Sequence, residues 1–268
     1  MTDRAPTMRD LTTRKAAGEK LVMLTCYDAL FARLLEAAGI ELLLVGDSLN
    51  EVIAGRRSTL SATLDQMVYH AAAVRRGTER ALVVVDLPFM SYQVSIEDAI
   101  RNAGRVMAET DCHAVKLEGG AVMVPTVRAL VERGIPVVAH LGLTPQSLHA
   151  LGGYRVQGRA DDDAATLLAD ALALEEAGAS AVVLELVART RATDISLALR
   201  IPTIGIGAGA GCDGQVLVLH DVLGLNEGFT PRFLKQYATL GAEVRDAIAR
   251  FASDVRSGAY PDDAHSFE

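Results

Sequence analysis

Short runs of apolar, mostly β-branched residues recur along the chain: LVML at 21–24, LLLV at 42–45, ALVVV at 81–85, HAVKL at 113–117, PVVA at 136–139, AVVL at 181–184 and PTIGI at 202–206. Runs this short, apolar on consecutive positions, predict parallel strands buried on both faces. VLVLH at 216–220 predicts an eighth. Between most of them lie segments with helical spacing, at 29–38, 63–76, 96–109, 122–133 and 161–177, and a last helical stretch covers 231–255. AAGIE, ERGIP and EAGAS each place a glycine between a helical segment and a strand, which predicts a helix C-cap that turns directly into the next strand.

Seven or eight strand–helix units follow one another without a break in composition or a Pro/Gly/Ser linker. That alternation predicts an α/β fold, one (β/α)8 TIM barrel domain over residues 1–268 with helical extensions at both ends; an open doubly wound sheet is the alternative. Half of the 268 residues are apolar, enough for a sizeable core. The net charge of -8 argues against an extended nucleic-acid surface, which needs clustered Lys and Arg. The first twenty residues mix charges and contain no apolar core of a leader or a membrane span, so the expected compartment is the cytoplasm. Cys26, Cys112 and Cys212 are widely spaced, which suits reduced thiols and offers neither a disulfide framework nor a CxxC metal site.

Polar residues able to do chemistry stand where the apolar runs stop: Asp47 and Ser48, Asp86, Lys116 and Glu118, His140, and Glu185. Any one of them taken alone is more readily a helix cap or turn former. In a parallel barrel, however, all strand C-termini lie on one face, and that face carries the active site. Acids gathered there repel one another unless a proton or cation joins them, and oxygen ligands without Cys or paired His select magnesium over zinc. A 2-oxo acid suits such an ion, chelating it through carboxylate and ketone so that the adjacent carbon becomes acidic.

Longer motifs sharpen this picture. MLTCYDALFA, LLVGDSL, STL, YHAAAVRRG, DLPFMSY, HAVKLEGG, HLGLTPQS, GGYRVQGR, IGIGAG, DGQVLVLHD and YPDDAHSF together resemble the ketopantoate hydroxymethyltransferase family, from about residue 8 to the end. The resemblance implies a magnesium-dependent barrel enzyme that moves a hydroxymethyl group from 5,10-methylenetetrahydrofolate to α-ketoisovalerate, giving ketopantoate for pantothenate and coenzyme A. It also implies a homo-oligomer, a decamer. Matched motif by motif, Asp47 and Asp86 become magnesium ligands that also meet substrate, and Glu118 a third metal-linked acid. Ser48 and Lys116 become substrate contacts, and Glu185 the proton acceptor. His140 is a candidate hydrogen-bond donor to substrate or folate, with a packed structural histidine as the other reading.

The chain departs from the family pattern in two places. NEVIAGRRSTLS alters the loop after Asp47 at Asn50, Glu51, Arg56, Arg57 and Ser61, and ELVA puts Leu186 and Ala188 where the family has cysteine and proline. Loss of the proline predicts a looser backbone beside Glu185. GIGAGAG at 205–211 imitates a dinucleotide loop, yet Cys212, Asp213 and Gly214 introduce another turn where a helix should start. Asp161, Asp162 and Asp163 are expected to cap and charge the start of a helix, and Arg75, Arg76 and Arg80 to complement a helix end. The enzymatic alternative is a magnesium-dependent, enolate-forming lyase or mutase of the isocitrate lyase and phosphoenolpyruvate mutase group, but its KKCGH-like signature is absent here. A non-catalytic binding barrel is a further alternative, and it predicts loss of the acids or the base, all of which are present.

Overall fold

Eight parallel strands close into a barrel in strict chain order in the computed structural model, which describes residues 6–268. They are β1 (Leu21–Thr25), β2 (Leu42–Val45), β3 (Leu82–Asp86), β4 (Ala114–Glu118), β5 (Val137–Gly142), β6 (Ala181–Glu185), β7 (Thr203–Ile206) and β8 (Gly214–Leu217). The helices of the first half are α1 (Asp10–Ala16), α2 (Ala29–Ala37), the short α3 (Leu49–Val52), α4 (Leu64–Arg75) and α5 (Ile96–Thr110). Then come α6 (Val124–Val131), α7 (Leu148–Leu151), α8 (Asp161–Glu176), α9 (Arg189–Ala198), α10 (Leu219–Val222) and α11 (Leu240–Ser257). The chain forms two compact units, Met1–Val218 with the barrel and Leu219–Glu268 with α10 and α11. No helix among the described residues is long and apolar enough to cross a membrane.

Period-two alternation explains both the core and the site. Leu82 and Val84, Ala114, Val138, Ala181 and Val183, and Ile204 meet in one apolar cluster with Leu42, Leu44 and Met23. The intervening residues Val83, Val85, Val115, Leu117, Ala139, Val182 and Leu184 are buried as well, on the other face of the sheet. Both faces are therefore apolar, which is why the strands read as continuous runs. Continued by two residues, and on β4 by four, the inward set becomes Asp86, Lys116, Glu118, His140 and Glu185, a polar layer above the apolar one.

Gly39, Gly134 and Gly178 end their helices with φ of 84°, 81° and 99°, as the three repeated phrases predict. Three expectations need correction. Strand β8 covers Gly214–Leu217 and not 216–220, because a single apolar run passes from the strand into the helical turn α10 and hydrophobicity alone does not mark where pairing stops. The last helix starts at Leu240, well after 231, because the chain from Pro231 first makes turns, in which Tyr237 and Leu240 N–H groups donate to the Val222 and Leu223 carbonyls. Ala160, whose side chain cannot cap, is the N-cap of α8, so the three aspartates act only through the first turn, where Asp161 also pairs with Arg191.

The turn leading into β3 is held by one carboxylate. Glu36 of α2 accepts from the Thr78 hydroxyl and from the N–H groups of Glu79 (3.1 Å), Arg80 (2.6 Å) and Ala81 (2.7 Å). Burial pushes this carboxyl up, but the hydroxyl and the three N–H donors outweigh it and hold the pKa at about 2, against an ordinary 4.5. A depressed folded-state pKa means that the anchor is fully present above pH 4.5 and is lost as pH falls through about 2. Glu36→Gln is expected to cost about 1–2 kcal/mol at neutral pH and less at pH ~3. Urea denaturation at the two pH values measures this, and an equal loss at both would contradict it.

Candidate active site

Strand register alone brings most of the predicted residues together. Asp86 lies beside Lys116, Glu118 beside His140, and Gly142 beside Glu185. Lys116 Nζ stands 2.8 Å from Asp86 Oδ1, with both side chains 5% exposed. Asp47, two residues past β2, donates its backbone N–H to Asp86 Oδ2 at 3.1 Å. Ser48 Oγ lies 2.9 Å from the hydroxyl of the buried Tyr27. The His140 ring sits between two acids, with Nδ1 3.4 Å from Glu118 and Nε2 3.4 Å from Glu185. Gly142, at φ 93°, permits the approach of β5 to Glu185, since a Cβ there would meet the Glu185 carbonyl oxygen at 2.2 Å.

These contacts form two lines, Asp47–Asp86–Lys116 and Glu118–His140–Glu185, and a residue absent from the sequence reading joins them. Gln146, in the 3-10 turn Pro145–Ser147 after β5, donates from Nε2 to Asp47 Oδ2 (2.9 Å) and to the Leu87 carbonyl (3.0 Å). Its Oε1 accepts from the Tyr92 hydroxyl (2.7 Å) and from Gln93 Nε2 (3.0 Å). Its backbone N–H donates to Glu118 Oε2 at 3.0 Å. Tyr92 in turn accepts the Glu118 N–H at 3.0 Å. Neutral residues give no charge signal in a sequence, but Tyr27, Tyr92 and Gln146 all fall inside motifs that follow strand ends, MLTCYD, DLPFMSY and HLGLTPQS.

Electrostatics divides the acids. Burial, then the nearby Asp86 and Glu118, push Asp47 well above the usual carboxylate range against Lys116 and Gln146. Burial also works on Glu118, but His140, Lys116 and the Gln146 N–H outweigh it and hold its carboxyl down. For Lys116, burial opposes the charge and the three surrounding acids more than restore it, so the ammonium is held above its usual range. Burial and Lys116 disfavour the charged form of His140, yet Glu118 and Glu185 raise it to about 9. At 3.4 Å neither ring nitrogen has a well-aligned hydrogen bond, so both carboxylates act on the ring chiefly through charge.

No group of three or more His, Cys, Asp or Glu side chains among the described residues converges as a complete metal cage. The donor set nevertheless fits a hard dication. Asp47 is an acid driven upward by burial and by its neighbours, and among the described residues only its Oδ2 has a hydrogen-bond donor, which leaves Oδ1 available. Magnesium characteristically takes one or two carboxylates and keeps its other positions for water and substrate oxygens.

Both departures from the family pattern have local structural partners. The Asn50 amide, buried, donates to the Ser58 carbonyl (2.6 Å) and to Ser61 Oγ (2.9 Å), so two of the altered positions satisfy each other. Beside Glu185 the backbone is pinned where loosening is expected. Ala188 has an N–H, which proline lacks, and donates it to the Gln157 carbonyl at 3.0 Å, while the Gln157 N–H donates to the Leu186 carbonyl at 2.7 Å. Leu186 is held at φ 46° by that pairing and by its own N–H bond to Ile206.

Fold and site together define a (β/α)8-barrel enzyme whose acids, lysine and histidine gather at the C-terminal mouth. A family model described as ketopantoate hydroxymethyltransferase matches residues 5–263. Curated relatives named 3-methyl-2-oxobutanoate hydroxymethyltransferase include one from Geobacter sulfurreducens, 52% identical over 99% of this chain and 99% of its own length. Another, from Azoarcus sp., is 54% identical over 99% and 98%. The chain belongs to the ketopantoate hydroxymethyltransferase family, and is a transferase. Solved structures with the same fold include 2,3-dimethylmalate lyase (TM-score 0.61, 19% identity, 97% of this chain and 92% of that one) and phosphonopyruvate hydrolase (TM-score 0.61, 15%, 98% and 92%). At such identity they share architecture only.

The buried Lys116–Asp86 pair yields a test of the site as a structural unit. Removing one partner of such a pair leaves an uncompensated charge, so Lys116→Met should destabilise the protein by about 3–5 kcal/mol at neutral pH. Denaturant unfolding with and without the substitution reads the difference, and an unchanged midpoint would remove the pair from the structural account.

Proposed function

We propose that the protein transfers a hydroxymethyl group from 5,10-methylenetetrahydrofolate to α-ketoisovalerate, giving ketopantoate on the route to pantothenate and coenzyme A. The observation that carries this reading is the separation of the acids. Asp47 and Asp86 are tied to Lys116, while Glu185 stands apart against His140 with its side chain 17% exposed, the most accessible of the four. Asp47, Asp86 and Glu118 would hold magnesium, which would supply Lewis-acid polarisation of the 2-oxo group.

Lys116 and Ser48 hold the substrate carboxylate. Water adds to the methylene carbon of the folate in its iminium form and the bond from that carbon to the folate nitrogen breaks, giving tetrahydrofolate and formaldehyde. Glu185 takes the proton from the branched carbon, that carbon attacks the formaldehyde carbon, and the alkoxide formed takes a proton, so that one water is consumed overall. Both His140 nitrogens face protein carboxylates, which favours a role in orienting Glu185 over the substrate contact expected from its strand-end position. The lyase or mutase alternative shares the barrel, but the full-length relatives at about half identity are transferases by name.

A homo-oligomer is part of the same reading. Helix α11 exposes Val244, Ile248, Phe251 and Val255 at helical spacing along one stripe, which supports a covering partner copy.

Purified protein supplied with methylenetetrahydrofolate, α-ketoisovalerate and magnesium should form ketopantoate by mass spectrometry; none under those conditions would sink the substrate assignment. Glu185→Gln should slow exchange of the branched-carbon proton into deuterated water by roughly 100-fold or more, and normal exchange would strip Glu185 of its role. Light scattering should show an assembly that Phe251→Asp disperses. A monomeric wild-type protein would refute the oligomer.

A further inference from the structure

We infer that Gln146 is a positioning residue for the metal-binding acids, the one group among the described residues that bonds to both Asp47 and Glu118. The inference rests on the proposal that Asp47, Asp86 and Glu118 serve a divalent cation. The Gln146 carboxamide uses its full hydrogen-bonding capacity: two donors, to Asp47 Oδ2 and Leu87 O, and two acceptor sites, filled by Tyr92 and Gln93. Its orientation is fixed by chemistry. A flipped amide would set its oxygen against a carboxylate and a carbonyl, and its NH2 against the NH2 of Gln93. The Tyr92 hydroxyl, which accepts the Glu118 N–H, is left to donate, and Gln146 Oε1 at 2.7 Å is its nearest acceptor.

Two consequences follow for the acids. Asp47 is turned so that Oδ2 is occupied and Oδ1 is not. Glu118, from a strand on the far side of β3, is held by the backbone of the same residue, so Asp47 and Glu118 cannot move independently. A neutral donor suits this place better than a cation. A lysine in its position would neutralise Asp47 and compete with the metal for it, whereas an amide orients the carboxylate and leaves its charge available.

The test is a titration of the folded variants Gln146→Met and Tyr92→Phe with Mn2+ followed by electron paramagnetic resonance, with and without α-ketoisovalerate. Circular dichroism confirms the fold. Gln146→Met should weaken Mn2+ binding by about 10-fold or more, the usual scale for residues that hold a metal ligand in place. Tyr92→Phe should weaken it less, because it removes one of the two donors that hold the Gln146 carboxamide oxygen and leaves both Gln146 donors to Asp47 and Leu87 in place. In turnover, excess magnesium should restore much of the kcat lost by Gln146→Met, which a general loss of structure would not permit. If the wild-type protein binds Mn2+ and the folded Gln146→Met binds it equally well, the inference fails and the metal assignment stands. If Gln146→Met does not fold, unchanged binding by Tyr92→Phe overturns the inference. If the wild-type protein binds no Mn2+ in either condition, the metal assignment itself fails and this role with it.

Discussion

Four carboxylates crowd the mouth of this barrel, and they have one lysine and one histidine to balance them. Asp47, Asp86 and Glu118 are each less than 7% exposed, a position in which a lone anion is either protonated or matched by positive charge. Lys116 is shared among all three, and His140 carries its charge upward in pH only because Glu118 and Glu185 demand it. The excess that remains falls on Asp47, whose carboxyl is driven up. An unbalanced anionic centre of this kind is costly as a structural feature and useful as a chemical one. Such a centre is the electrostatic setting that suits a dication.

That crowding is sustainable because the rest of the fold is arranged around it. Apolar side chains fill the barrel below the polar layer, so the acids stand on a packed apolar floor. At the opposite end Met8 and Leu11, from and beside α1, join the same apolar cluster as the strand residues. Lys15 fastens this helix by donating to the Ser196 and Ile201 carbonyls at 2.7 and 2.9 Å and by pairing with Asp213 at 3.0 Å. The bottom of the barrel is therefore sealed by burial and one well-partnered lysine, and the chemistry is confined to the top.

The sequence announces this arrangement where charge and period carry the information. Asp86, Lys116, Glu118, His140 and Glu185 continue the two-residue alternation of their own strands, and their residue types are conspicuous at the end of apolar runs. Gln146, Tyr92 and Tyr27 are not conspicuous. They are neutral, they lie in turns with no period, and their role exists only once three separate loops meet. The bounds of the eighth strand escaped for a different reason, since apolar residues run without interruption from β8 into α10. Helix α9 buries only Ala192, Ile195 and Ser196, too short an apolar stripe to stand out. Asn50 with Ser61, and Ala188 with Gln157, look like losses when read singly against a family pattern. Each is half of a hydrogen bond, and a single-position comparison cannot see the other half.

The same barrel in a lyase and in a hydrolase at 15–19% identity shows that the scaffold does not select the reaction. Selection must come from how the mouth divides its acids between binding and proton transfer. Here the division is made by backbone. Register sets Lys116 against Asp86 and Glu185 against Gly142, and a turn residue, Gln146, spans the gap between the two lines. Moving Glu185 into the Asp47–Asp86–Lys116 line would need a change of strand pairing, whereas altering what approaches Glu185 needs only a change in the 152–158 loop that Ala188 and Leu186 clamp to β6. What approaches Glu185 is thus free to drift in the loops, and the separation of Glu185 from Asp86 and Lys116 is locked into the sheet.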